Sequence, residues 1–347
     1  MPLKQYWINS LNADLAFIIA PPFISLLAVI MFPEHFQQAS GIPTIYWVIL
    51  ILLIDVAHVY TTLYQTYFNP SRLKQHQSLY LAIPALCYIT GVLLHTIDSM
   101  LFWRILAYLA VYHFVKQQYG FMRLYSRHEE LPSWSKKIDV LIIYSSTLYP
   151  ILYWHLTDDR NFNWFIEDEF FTFQSDLLLT LISSLYIVII SIYVAKELYR
   201  SILHKQINLP KNLIILGTGL SWYFGIVHYN GDMAFTTLNV VSHGIPYMAL
   251  VWFRQKKENP VYKSPLLQKL KSPYGLFVFF GIIAVLAYLE EGLWDGFIWR
   301  EHKSVFGIFS LLPEISSKEM LALLVPLLSL PQSTHYVLDG FIWKQGH

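Results

Sequence analysis

Four histidines stand in four separate apolar segments. Each has a second polar side chain three or four residues away: His58 with Asp55, His113 with Gln117, His243 with Asn239, and His335 with Asp339. Such spacing puts each pair on one face of a helix. Imidazole and carboxylate groups inside a lipid-embedded helix are costly, and that cost marks them as functional. Four such faces meeting make a metal site. Imidazole suits zinc, copper and iron, and added carboxylate turns the preference toward non-haem iron or zinc. A ligating histidine also needs its other ring nitrogen held by an acceptor. We therefore read His58, His113, His243 and His335 as metal ligands, and Asp55, Gln117, Asn239 and Asp339 as further ligands or as the groups that orient them.

A fifth histidine, His228, sits in VHYNGDMAF four residues before Asp232, again on one helical face. On a straight helix it falls near the outer surface. Gly217, Gly219, Gly225 and the Asn230-Gly231 turn offer breaks that would hold it deeper, where irregular backbone can line a buried cavity. His228 is thus a further candidate ligand, and Asp232 a turn residue or a support for it. The remaining histidines fall in loops or near helix ends, where a solvated side chain is the expectation. A short repeat, Asp295-Gly-Phe-Ile-Trp299 and Asp339-Gly-Phe-Ile-Trp343, reads as a helix end with interfacial tryptophans or as a duplicated acidic element beside Glu290 and Glu291.

These residues need helices to position them. The chain of 347 residues is 55% hydrophobic and only 14% charged, whereas soluble proteins carry about a quarter charged residues. The expected fold is all-α, a polytopic membrane helix bundle forming a single integral-membrane domain over 1–347. About ten spans fit the roughly 20 residues a bilayer requires: 14–32, 43–67, 78–97, 100–121, 138–156, 177–199, 211–229, 233–253, 273–290 and 319–342. Prolines 21, 22, 84, 150, 326 and 331 fall in or near these runs and are expected to kink helices rather than end them.

Basic residues collect in alternate connections, including Arg72 and Lys74, Arg123 and Arg127, Lys196 to Lys211, and Arg254 to Lys271. The intervening loops are acidic or poor in basic residues, with Glu34, Asp98 and the run from Asp158 to Glu169. The positive-inside rule then places both termini in the cytoplasm, with Lys4 and Lys344 on that side. Under this topology the four histidines lie on helices running from outside to inside. Each precedes its next basic collar residue (Arg72, Arg123, Arg254 or Lys344) by a similar length of chain. At 1.5 Å per residue the depth below the collar is roughly 14–21 Å, one shared layer. Lys116, one turn after His113, either snorkels or lines the site.

Composition excludes several classes. The net charge is +1, and no basic face suits nucleic acid. Cys87 is the only cysteine, so CxxC metal sites, iron–sulfur clusters and internal disulfides are ruled out. No HExxH is present, against an intramembrane zinc protease. The HxxxH and HxxHH boxes of fatty-acid desaturases and hydroxylases are also missing, as are G-x-S-x-G and a nucleotide-binding loop.

Single histidines on separate helices, without desaturase boxes, make the chain resemble in organisation the integral-membrane iron dioxygenases that cleave beta-carotene. A looser likeness is to membrane zinc amidases of the ceramidase type, although their paired HxxxH element is absent here. No site residue is carried over from either family. The resemblance implies a metal-dependent integral-membrane oxidoreductase that uses iron and dioxygen on a lipid or isoprenoid-like substrate. Membrane lipid and an electron donor would be its partners, and the plasma (inner) membrane its location. A zinc hydrolase with a His/Asp site, a haem-binding electron-transfer protein and a metal or ion transporter are the alternatives.

Overall fold

The computed structural model describes residues 5–37, 41–157, 160–205 and 207–343. Lys4, Asp158, Asp159 and Lys344, which entered the charge pattern above, lie outside them. The regular structure of the described residues is all helix, without a strand. In order it forms α1 (Leu11–Ile19), α2 (Pro21–Met31) and α3 (Thr44–Gln65). Next come α4 (Gln77–Ile97), α5 (Ser99–Ser126), α6 (Ser133–Leu156) and α7 (Asp176–Leu203). They are followed by α8 (Leu209–Trp222) and α9 (Asp232–Glu258), and then α10 (Gly275–Trp299), α11 (Lys318–Leu328) and α12 (Leu330–Ile342).

Side chains start several of these helices. Ser10, Asn208 and Ser317 each accept the amide of the residue three ahead, satisfying one of the open donors of a first turn. The expected proline kinks appear in two forms. The pair α1–α2 bends by 49° where Pro21 and Pro22 begin α2, and α11–α12 bends by 43° just before Pro331. At Pro84, Pro150 and Pro326 the helix continues through the proline.

By length and composition, α3, α4, α7 and α10 can cross a membrane, and six spans result if each bent pair counts as one. The sequence-expected spans 100–121, 138–156, 211–229 and 233–253 are helices, but less apolar ones. Their polar residues turn inward: α9, for example, buries Thr236, Thr237, Asn239, Ser242 and His243. By contrast, α7 turns Leu177, Leu181, Leu185 and Val188 outward, an apolar stripe suited to lipid.

The chain comprises two compact units. The first contains Met1–Ile42 and Phe114–Pro246. Within it Leu26 and Val29 of α2 pack with Ala234 and Leu238 of α9. Pro22 sits so close to Gly217 that a Cβ there would come within 2.8 Å of the proline ring. Lys196, Arg200 and Lys211 were expected in a cytoplasmic loop. Instead α7 runs past Lys196 and Arg200, Lys211 lies in the first turn of α8, and all three are buried. Glu129, Asp139 and Glu197 neutralise them: Lys196 pairs with Asp139 and Glu197, Lys211 with all three acids, and Arg200 with Glu129 and Glu197. Equal numbers of opposite charges let the cluster stay out of water.

The second unit contains Pro43–His113 and Tyr247–His347. Tyr64 of α3 stacks on Phe279 of α10 at 4.6 Å and donates its hydroxyl to that residue's carbonyl at 3.1 Å. Tyr80 and Ile83 of α4 pack with Leu338 and Ile342 of α12. These contacts fix α3, α10, α4 and α12, which carry or brace the candidate residues of this unit. Residues Val48–Val56 of α3 wind as a π-helix, the rare form that recurs at functional sites. Asp55 lies at its end, three residues before His58.

Candidate metal centre

In the second unit, α3 presents His58, the end of the α5 segment presents His113, and α12 presents His335. All three are buried, at 1–3% exposure. His335 Nε2 stands 3.1 Å from His113 Nε2. The ring centres of these two are 4.4 Å apart, and His58 lies 5.1 Å from His335. The opposite edges of the rings face oxygen. Thr62 Oγ1 is 2.6 Å from His335 Nδ1, Asp339 Oδ2 is 3.6 Å from His113 Nδ1, and Asp55 Oδ1 is 3.7 Å from His58 Nδ1. Asp339 in turn accepts the hydroxyl of Tyr247. In the tautomers that carry the proton on Nδ1, toward Thr62 and Asp339, His335 and His113 turn their Nε2 lone pairs to each other. Two lone pairs 3.1 Å apart repel unless a proton or a cation lies between them.

In the first unit His243 is fully buried on α9 and stacks flat on Phe114, ring centres 3.5 Å apart and planes within 5°. Gln117 Nε2 donates to the His243 carbonyl at 2.9 Å. The neighbouring Gln118 accepts from Thr218 Oγ1 at 2.9 Å. The stretch of helix around His243 is therefore fixed by side chains that bond its backbone and cover its ring.

His58, His113, His243 and His335 each offer a ring nitrogen, and these nitrogens all lie within 4.8 Å of one another. Such a group can hold a metal ion. Nitrogens bound to one ion at ~2.0–2.1 Å stand roughly 3–4 Å apart, so a modest contraction of the set suffices. An all-imidazole donor set fits zinc, copper or iron and disfavours magnesium and calcium, which take oxygen.

The other sequence candidates are placed as follows. His228 is exposed at the end of the π-helical turn Tyr223–His228, against Phe224 and Tyr229, and is not part of the four-histidine group. The helix does break there, as the glycines suggested, but the break does not bury the imidazole. Asp232 opens α9 and accepts from Thr236 at 3.3 Å. Asn239 donates to the Phe235 carbonyl of its own helix, so it braces α9. Gln117 reaches the His243 backbone and not its ring. Asp339 faces His113 as well as its own-helix neighbour His335, at 3.6 and 3.8 Å. Lys116 donates to the Tyr144 hydroxyl at 3.1 Å and lies over the Tyr119 ring.

Sequence reasoning missed Thr62, Tyr247 and Phe114. A signal existed for two of them: Thr62 is four residues after His58, and Tyr247 four after His243, the same-face spacing already applied to the acids and amides. Compared with protein-family models, curated proteins and solved structures, the chain matches none.

Proposed function

We propose that this chain is a metal-dependent membrane oxidoreductase whose His58, His113, His243 and His335 hold a single non-haem iron ion. The observation that carries the reading is the convergence of four buried ring nitrogens, with Thr62 and Asp339 facing the outer edges of two of the rings. Iron, when bound, supplies one-electron and dioxygen chemistry. The chain's own residues do the rest. Thr62 and Asp339 orient imidazoles, Phe114 locks the plane of His243, and the Tyr247–Asp339 hydrogen bond keeps a proton beside His113 and His335. The burial of all four rings keeps water from the centre.

A lipophilic substrate, lipid or isoprenoid-like, fits a centre carried on helices with so much outward apolar surface. We further propose ten membrane crossings, with both termini cytoplasmic and the plasma membrane as location. The alternating basic connections support this topology, less the buried Lys196, Arg200 and Lys211. A zinc hydrolase is the second reading, favoured by the carboxylate of Asp339 beside the imidazoles, which is placed to serve as a base.

The test is oxygen uptake. Protein purified without oxygen and loaded with Fe2+ is expected to consume dioxygen when given a membrane isoprenoid or lipid extract, and to show no Soret band. Zinc-loaded protein is expected to be inert. Uptake by neither form, with hydrolysis of a lipid amide or ester by the zinc form, would move the hydrolase reading ahead.

A further inference from the structure

The second unit contains carboxylates that the histidine centre does not explain. Asp295 is half accounted for: its Oδ1 accepts the amides of Glu301 and His302 at 2.8 and 2.7 Å and closes the end of α10, while its Oδ2 is buried without a partner. Glu290 is not. It is 4% exposed, and neither of its carboxylate oxygens has a hydrogen-bond partner. The Tyr60 hydroxyl and the Trp294 indole lie near it without reaching hydrogen-bond geometry. The stretch of α3 that carries Asp55 packs directly on α10, which carries Glu290 and Glu291 on consecutive positions. Among the described residues, no lysine or arginine forms an ion pair with Asp55, Glu290 or Glu291.

Three carboxylates of one sign gathered in a helical span, one of them buried without a donor, are an unstable arrangement on their own. The Asp55 side chain is 34% exposed and Glu291 is half-buried, although both lie in the interior of apolar helices. We propose that Asp55, Glu290 and Glu291 form a second cation site, next to the histidines through Asp55 but using none of their ring nitrogens, and selective for a hard divalent ion. An oxygen-only donor set of carboxylates suits Mn2+, Mg2+ or Ca2+, whereas the imidazoles suit softer ions. Among the described residues only the four histidines already bring their ligand atoms within 4.8 Å of one another. The carboxylates therefore close around the ion by side-chain rotation, which two glutamates on one turn of α10 and an aspartate on α3 can supply. The proposal does not depend on which metal the histidines hold.

Mn2+ is the probe. Full-length protein in detergent, with Co2+ filling the histidine site, is titrated with Mn2+ and followed by electron paramagnetic resonance. One Mn2+ per chain is expected beyond the cobalt. Glu290→Gln and Glu291→Gln are each expected to weaken it at least tenfold while leaving the cobalt absorption unchanged. His335→Ala is expected to do the reverse. Glu314→Gln, in a loop, should change neither. If Glu290→Gln does not yield a monodisperse protein, Glu291→Gln carries the test. No Mn2+ bound by the wild type, or binding unchanged by the carboxylate variants, overturns the second site and leaves these acids simply protonated. Loss of cobalt binding alone would count against the histidine centre, not against this proposal.

Discussion

His335 meets Thr62 at Nδ1 and faces His113 across Nε2, where an ion would join the two rings. Removing the ring and removing its support should therefore differ in degree. His113→Ala or His335→Ala deletes a ligand. Thr62→Val keeps the volume but leaves Nδ1 without its oxygen, and Tyr247→Phe loosens Asp339. The two supporting changes are expected to lower metal affinity roughly 10–100-fold, measured by competition with a chromophoric chelator. Asn239→Ala is expected to leave affinity unchanged, because that amide bonds its own helix. Equal losses in all of these variants would mean that the support assignments are wrong. At this scale the ligand types were legible, because an imidazole in an apolar run stands out. The supports were only half legible. A threonine or tyrosine in such a run is unremarkable until its partner is seen, and Thr62 meets His335, which lies 273 residues away in the chain. His228 misled for a related reason: a helical spacing to Asp232 was assumed across a segment that turns.

Helices here approach closely at particular glycines, and that gives a paired expectation. A Cβ on Gly91 of α4 would meet Pro326 at 2.9 Å and Phe102 at 3.2 Å, whereas one on Gly281 of α10 would meet nothing within 4 Å. Gly91→Ala is expected to destabilise by about 1–3 kcal/mol through overpacking. Gly281→Ala should be neutral or stabilising by up to ~1 kcal/mol. Thermal midpoints in detergent check both, and equal midpoints would refute the packing of α4 against α11. The loop before α7 gives a pH expectation. Glu169 is buried and accepts the amides of Trp164, Phe165 and Ile166. Burial pushes its carboxyl up to about 7 from 4.5, against the pull of those amides. The folded loop then holds a proton that the unfolded loop releases. Its contribution is complete below about pH 4.5 and is lost as pH rises through about 7, on the order of 3 kcal/mol in all. Limited proteolysis of this loop is expected to speed up from pH 5 to pH 8 in the wild type, and to stay flat in Glu169→Gln. Helix positions were largely readable from apolar runs and prolines. The charge runs were less so, since a lysine that is buried against Asp139 has the same letter as one in water.

Over the whole molecule, the all-helical architecture follows from the scarcity of charge, and four to six helices carry the length and apolarity to cross a membrane. The further crossings that we propose fall on helices whose hydropathy is lowered by polar side chains turned inward. Topology can be mapped because Cys87 is the only cysteine. In a Cys87→Ser background, a cysteine at Ser310 is expected to react with an impermeant maleimide added outside, and one at Lys263 only after permeabilisation. The opposite pattern would invert the proposed orientation. The central claim, that the four histidines hold a metal, is tested most directly by elemental analysis of the full-length protein purified without added metal or chelator. About one equivalent of iron per chain is expected in the wild type, and little in His113→Ala and His335→Ala at equal monodispersity. Metal-free wild type, or metal content unchanged by both substitutions, would contradict the claim.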